Sequence, residues 1–259
     1  MWSPSARPWL AALLLPWAAL SYWFWFVCDD AYITFRYAKH LASSNGLVFN
    51  VGESPPVEGY SNFLWLLHAA ALERMGGPVD LLLPMLSALC GAILLVRVFG
   101  VAHRWLGADA RVAFAATLPL ALSPAMGVWS TSGLATMPFA LLVFVLFEHL
   151  VLRDDEPGVI AVPLAIALCL IRTEGAAWLL VLAALAFAVH RFSGRPDPAK
   201  RLQTVLLSAG IVLVTYNVWR LSYYGTLVPN TALVKVGFGA TLVGRGARYV
   251  LLFGLTTIT

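Results

Sequence analysis

The chain has 259 residues, 60% of them hydrophobic and 12% charged, with a mean hydropathy of +0.81; soluble domains carry about 25% charged residues, so composition excludes that class. The net charge of +4 is spread over short segments between apolar runs, which excludes a nucleic-acid-binding patch. Three distant cysteines (Cys28, Cys90, Cys169) without CxxC, and five histidines without HxxxH spacing, exclude a disulfide framework and a zinc pattern.

The first element, Pro8 to Cys28, is 21 residues without a charge and reads as a membrane-spanning helix. It is too long and too aromatic at its end for a signal peptide and lacks an A-x-A-like cleavage site, so a retained signal anchor is expected. Two acids, Asp29 and Asp30, follow directly, where the chain leaves the bilayer; ionisable groups at that depth are costly and tend to be functional. Residues 29–78 form a long first outer loop. Asp30 to Ser44 reads as a helix lying along the membrane surface, stopped by Asn45-Gly46, and Ser61 to Met75 as a second helix. Further apolar runs lie at Val79–Val96, Val112–Trp129, Leu134–Phe147, Pro157–Ile171, Gly175–Val189 and Val205–Trp219. Unbroken Leu/Ala/Val runs in lipid mean helices. The expected fold is therefore an all-α polytopic membrane helical bundle with about seven transmembrane helices. An eighth run, from Tyr249, is cut off at Thr259, so the chain reads as the front part of a longer protein. Tryptophans near run ends (Trp23, Trp25, Trp65, Trp105, Trp129, Trp219) fit an interfacial belt. Arg191 to Arg201 packs four cations into one short loop, which favours an amino terminus on the inner side.

Alternating the helices puts four polar stretches on one side of the membrane. They are Asp29 to Ser61, Trp129 to Gly133, Arg172-Thr173-Glu174, and Tyr223 through Asn230 to Lys235. On residue type alone, Asp29 and Asp30 fit a helix cap as well as a catalytic role. A carboxylate here could act as general base on an acceptor hydroxyl or stabilise oxocarbenium character at a sugar carbon. A phosphate leaving group would need a cation, and Arg172 and Lys235 are the candidates. Arg172 and Glu174 also read as a loop ion pair, Glu53 and Glu58 as solvated loop acids, and Tyr223 and Tyr224 as belt aromatics.

Asp29-Asp30-Ala31-Tyr32-Ile33-Thr34-Phe35-Arg36-Tyr37-Ala38, then Asn45-Gly46-Leu47-Val48-Phe49-Asn50 and Glu58-Gly59-Tyr60-Ser61-Asn62-Phe63-Leu64-Trp65, resemble the opening of GT-C-type membrane glycosyltransferases. The likeness is to the bacterial branch containing the mycobacterial terminal β-(1→2) arabinofuranosyltransferase. Ser132-Gly133-Leu134, Arg172-Thr173-Glu174-Gly175 and Tyr223-Tyr224-Gly225-Thr226-Leu227-Val228-Pro229-Asn230-Thr231 with Lys235 look like its later signatures, in order. The resemblance implies a polyprenyl-phosphate-linked sugar as donor and an envelope glycan, lipid or protein as acceptor. It implies catalysis by Asp29 or Asp30, one acting as base and the other orienting it or the sugar. Arg172, Glu174, Asn230 and Lys235 become candidate binders of donor phosphate or sugar. Arg36 and Glu58, from the first blocks, are counted with them. The branch usually has an acid after Gly133-Leu134, where this chain has Ala135. A divalent cation is compatible, since other members use one, although two adjacent Asp do not make a full site. No Rossmann glycine motif offers a place for a soluble nucleotide sugar.

The expectation is thus an inverting glycosyltransferase of the bacterial inner (plasma) membrane, amino terminus cytoplasmic, active site periplasmic or extracellular. The rival classes are a catalytically inactive membrane scaffold and a multi-pass transporter. Charges gathered at run ends disfavour transport.

Overall fold

The computed structural model describes residues 6–107, 109–153, 160–230 and 240–258. Helices follow one another through the described residues, and no strand occurs among them. They are α1 (Arg7–Trp23), α2 (Asp29–Ala42), α3 (Phe63–Arg74), α4 (Val79–Trp105), α5 (Ala110–Ala121), α6 (Pro124–Thr131) and α7 (Thr136–Phe147). A π-helical turn, Glu148–Leu152, continues α7. Then come α8 (Ala161–Ile171), α9 (Gly175–Ser193), α10 (Ala199–Tyr224) and α11 (Ala240–Ile258).

The all-α class holds, but the count of spans does not. Among the described residues three helices are long and apolar enough to cross a membrane: α4, α9 and α10, with 27, 19 and 26 residues. A fourth is added only if α5 and α6 are taken as one bent span. The expected bundle of about seven transmembrane helices with a truncated eighth is therefore overturned. The reason is length. The uncharged run that opens the chain is helical only to Trp23, giving 17 residues, or about 26 Å at 1.5 Å per residue against a hydrocarbon core of about 30 Å. The run Val112–Trp129 breaks by 64° between Ala121 and Pro124. Ser123 there is extended and Pro124 opens the next helix, the position where a ring without N–H is tolerated. Helices α7 and α8 have 12 and 11 residues, the length of buried core or re-entrant segments. The last run begins earlier than expected, at Ala240, and its helix includes Arg245 and Arg248.

Packing divides into neighbouring cores. Leu13 and Trp17 of α1 meet Leu94, Leu95 and Phe99 of α4 with Ala113 of α5. Leu146, Ala165, Leu168, Leu182, Ala186 and Val205 join α7 to α10. A third core seats the first loop, with Ala31 and Phe35 of α2 and Trp65 and Ala69 of α3 against Leu83 of α4 and Ile171 of α8. At the end away from that loop, the buried Glu148 bonds Arg97 at 2.7 Å and Arg104 at 3.1 Å. Arg195 donates to the Val151 carbonyl, and Arg201 to those of Leu150 and Arg153, so basic side chains satisfy the open carbonyls of the π-helical turn.

Candidate functional site

The site is assembled from four separated stretches. Helix α2 starts after Cys28, whose N–H donates to the Ser132 carbonyl at 2.9 Å. Gly133 lies in the left-handed region at φ 77°, and a Cβ there would come within 3.1 Å of the Ala31 Cβ. Its carbonyl accepts from Trp65 Nε1 at 2.9 Å. Trp65 is thus a buried strut between α3 and this loop and does not belong to the interfacial belt. The end of α6 and the Ser132-Gly133 turn after it are pressed against the start of α2 because glycine permits the approach.

Tyr37, wholly buried, donates to the Val57 carbonyl at 2.6 Å and accepts from the Gly59 N–H at 2.8 Å. Burial raises the Tyr37 hydroxyl above its ordinary pKa, so it stays a neutral donor. This fixes the irregular Val57 to Tyr60 segment beside α2. Asn62 Nδ2 donates to Thr34 Oγ1 at 3.0 Å and ties α3 to α2. Tyr224 donates to the Leu47 carbonyl at 2.8 Å and lies 3.1 Å from the Tyr60 hydroxyl, while Tyr223 accepts from the Leu47 N–H at 3.1 Å. The two tyrosines hold the first loop and, with Tyr224 only 4% exposed, are not belt aromatics.

Two cavities result. The smaller, about 200 Å³, is lined by Asp30, Thr34, Tyr60, Asn62, Ala135 and Arg172 among others. The larger, about 720 Å³, is lined by Glu58, Arg172, Glu174, Tyr216 and Arg220 and by apolar groups such as Leu213. Arg172 and Ser61 belong to both. Gly175 makes the Arg172 turn possible, since a Cβ on it would overlap the Leu168 carbonyl.

The candidates from sequence are placed as follows. Asp30 lines the smaller cavity, whereas Asp29 lines neither; its Oδ1 accepts from the Asp30 N–H at 2.9 Å and from Cys28 Sγ at 3.3 Å. Arg172 grips Glu174 through Nη2 at 2.8 Å and Nε at 3.4 Å. That guanidinium holds the Glu174 carboxyl below the ordinary carboxylate range. Glu58 is not a solvated loop acid: it is 3% exposed, accepts from Arg220 Nε at 2.6 Å and lies 3.5 Å from the Tyr216 hydroxyl. Burial pushes its carboxyl up, against the pull of Arg220. Arg36 sits apart from both cavities, donating to the Phe49 carbonyl at 2.7 Å and to Asn50 Oδ1 at 2.9 Å. The Asn230 N–H donates to the Glu58 carbonyl at 2.9 Å, and its side chain is exposed. Lys235 lies outside the described residues.

Sequence reasoning missed Arg220, Tyr216 and the Thr34–Asn62 pair. Arg220 directly follows the apolar run Val205–Trp219, where a cation looks like any charge at a run end; its place one turn inside a helix end among aromatics is the available signal. As for a metal, no group of three or more His, Cys, Asp or Glu able to share an ion occurs among the described residues. The described residues thus offer no all-protein ligand set for the divalent ion that the resemblance admits.

No family model matches the chain, and no solved structure matches it. Among curated proteins it is similar to the terminal β-(1→2)-arabinofuranosyltransferase of Mycobacterium tuberculosis, 29% identical over 232 residues, which is 82% of this chain and 35% of that protein. It is also 28% identical over 250 residues to the terminal β-(1→2)-arabinofuranosyltransferase of Corynebacterium glutamicum, 86% of this chain and 35% of that protein. The chain spans about a third of the length of the curated relatives it matches. This is distant, partial homology to membrane glycosyltransferases.

Proposed function

We propose that this chain holds the transfer site of a membrane glycosyltransferase, which moves a sugar from a polyprenyl-phosphate donor to an envelope glycan, lipid or protein. The single observation that carries the reading is the pair of cavities meeting at Arg172, the smaller with Asp30 on its wall and the larger with two guanidinium–carboxylate pairs beside an apolar wall. In this reading the acceptor hydroxyl enters the smaller cavity and gives its proton to Asp30. Asp29, through its bond to the Asp30 N–H, positions the start of α2. The donor lies in the larger cavity, and its sugar carbon is attacked at the seam beside Arg172 and Glu174. Holding both partners across one seam supplies proximity and orientation, the cheapest part of such catalysis. A pentofuranose is the first sugar to try, because both similar proteins are named arabinofuranosyltransferases. We place the protein in the bacterial plasma membrane, amino terminus cytoplasmic and site facing outward, since Arg97, Arg104, Arg195 and Arg201 gather at the end opposite the site.

One observation favours a second reading. Ala135 lines the smaller cavity at 1% exposure, so the acid that the resemblance expects there is missing from the site itself. That fits an inactive relative serving as a scaffold. The two readings part in one experiment: membranes carrying the intact gene product, or its Asp30→Asn or Asp29→Asn variant, are given labelled polyprenyl-phosphate pentofuranoses and hexoses. Label is expected in an envelope fraction and is lost with Asp30→Asn at unchanged expression. Transfer indifferent to Asp30→Asn would remove Asp30 as base, and no transfer from any donor would leave the scaffold.

A further inference from the structure

Two arginines face the larger cavity, and they are not equivalent. Arg172 is partly exposed and already chelates Glu174 through two nitrogens. Arg220 is only 6% exposed, and the one hydrogen bond it makes among the described residues runs from Nε to Glu58 Oε2 at 2.6 Å. Its guanidinium carbon stands 5.8 Å from the centre of the Tyr216 ring. The Nη1 and Nη2 groups are therefore uncommitted on a residue that lines the 720 Å³ cavity. Such a fork matches two oxygens of one anion, and a guanidinium fixed at Nε needs no reorganisation to meet it. Glu58 already balances the charge of Arg220, and neither Nη is among the fully buried atoms that lack a hydrogen bond, so the two nitrogens open onto the cavity as donors that an anion can take up.

We propose that Arg220, held by Glu58, binds the phosphate of a lipid phosphodiester in this cavity and meets the charge that grows on it during transfer. This rests on the glycosyltransferase reading above. In the step itself, the acceptor oxygen bonds to the anomeric carbon and its proton goes to Asp30. The bond from that carbon to the phosphate oxygen breaks, and its electron pair stays on the phosphate. A phosphodiester with one negative charge leaves as a phosphate monoester with up to two. The donors of Arg220 stand where that added charge appears, which is the condition for electrostatic catalysis. Glu58 has the companion role of a positioning residue: it neutralises Arg220 before the ligand arrives and aims its free edge at the cavity. Facing carboxylates (Glu58, Glu174) balance the two guanidiniums, so the wall suits a singly charged phosphate better than a pyrophosphate.

The test uses the full-length protein in detergent with farnesyl phosphate as probe, and farnesol and inorganic phosphate as controls. Removing Arg220 alone leaves Glu58 buried without its partner and endangers folding. The informative variant is therefore the neutral pair Glu58→Gln with Arg220→Gln, beside Arg220→Lys and Arg172→Gln. The neutral pair should bind farnesyl phosphate at least about tenfold more weakly, the size expected for charge-assisted hydrogen bonds, with farnesol binding unchanged. Arg172→Gln should cost clearly less. Unchanged farnesyl phosphate binding in the neutral pair, or an equal loss for farnesol, overturns the assignment. Inorganic phosphate binding as tightly as farnesyl phosphate overturns the lipid source. Where transfer is measurable, Arg220→Lys should lower kcat more than it raises KM; the reverse removes Arg220 from the charge-bearing role. Arg220-dependent binding without any transfer would sink the glycosyltransferase reading and leave the phosphate site standing.

Discussion

At the scale of single residues, the site depends on two glycines and two carboxylates in contrasting surroundings. Gly175 has no room for a side chain against the Leu168 carbonyl. Gly175→Ala should therefore displace the Arg172 turn and lower the thermal midpoint, while Gly210→Ala, where a Cβ would meet nothing within 4 Å, should be neutral or stabilising. Parallel melts in detergent decide this, and equal effects would disprove the steric argument. Glu174 carries a pH signature. Its native pKa is held below the ordinary 4.5 by Arg172. The pairing therefore stabilises the protein above pH 4.5 and is lost as pH falls through the lower native value. The melting difference between wild type and Glu174→Gln should be small, since the pair is half exposed, and should vanish on acidification. A difference that grows in acid would contradict it. Glu58 has the opposite sign: its raised pKa makes the buried carboxylate progressively less favourable as pH rises through that value. Asp30, Arg172 and Glu174 were legible in the sequence because charges interrupting apolar stretches stand out. The burial of Glu58 was not, because its partner is 162 residues away and no local pattern announces it.

At the scale of elements, the existence of most helices was legible and their lengths were not. Hydrophobic runs such as Leu134–Phe147 and Pro157–Ile171 look alike whether they cross lipid or pack against other helices, because in both places the surroundings are apolar. Helix α8, with Ala165, Leu168 and Ile171 buried, is of the second kind over much of its surface. Helix α2 starts at Asp29, one residue before the expected Asp30, with Cys28 as its cap, and the two acids lie in its first turn, where they complement its dipole. The π-helical turn after α7 had no sequence signal, as it is fixed by distant arginines. Breaking a buried ion pair from one side costs about 3–5 kcal/mol. Arg97 and Arg104 keep 34% and 56% of their side-chain surface, so solvent screening reduces the expected cost of Glu148→Gln to about 2 kcal/mol. Denaturation of the variant would measure it, and an unchanged stability would show that Glu148 does not clamp α4 to this turn. Because the cluster lies at the far end, ligand binding in the 720 Å³ cavity should survive the substitution.

At the scale of the whole molecule, helices of three lengths share the work. The long α4, α9 and α10 have the length and apolarity to cross a membrane, shorter helices fill between them, and α2 and α3 close one end. The convergence of four polar stretches on that end could be read from helix alternation, even though the number of crossings assumed for it was too high. Parity of direction, not the count of full spans, sorts the loops, and a short helix reverses the chain as well as a long one. The seam between the two cavities then has a kinetic meaning. One guanidinium, that of Arg172, borders both chambers, so whatever fills one chamber alters the electrostatic surroundings of the other. Two substrates housed this way would not exchange places in turn but would have to be present together. Initial rates measured with both varied should give intersecting double-reciprocal lines. Parallel lines would mean that the sugar pauses on the protein itself, and that the chambers are occupied one after the other.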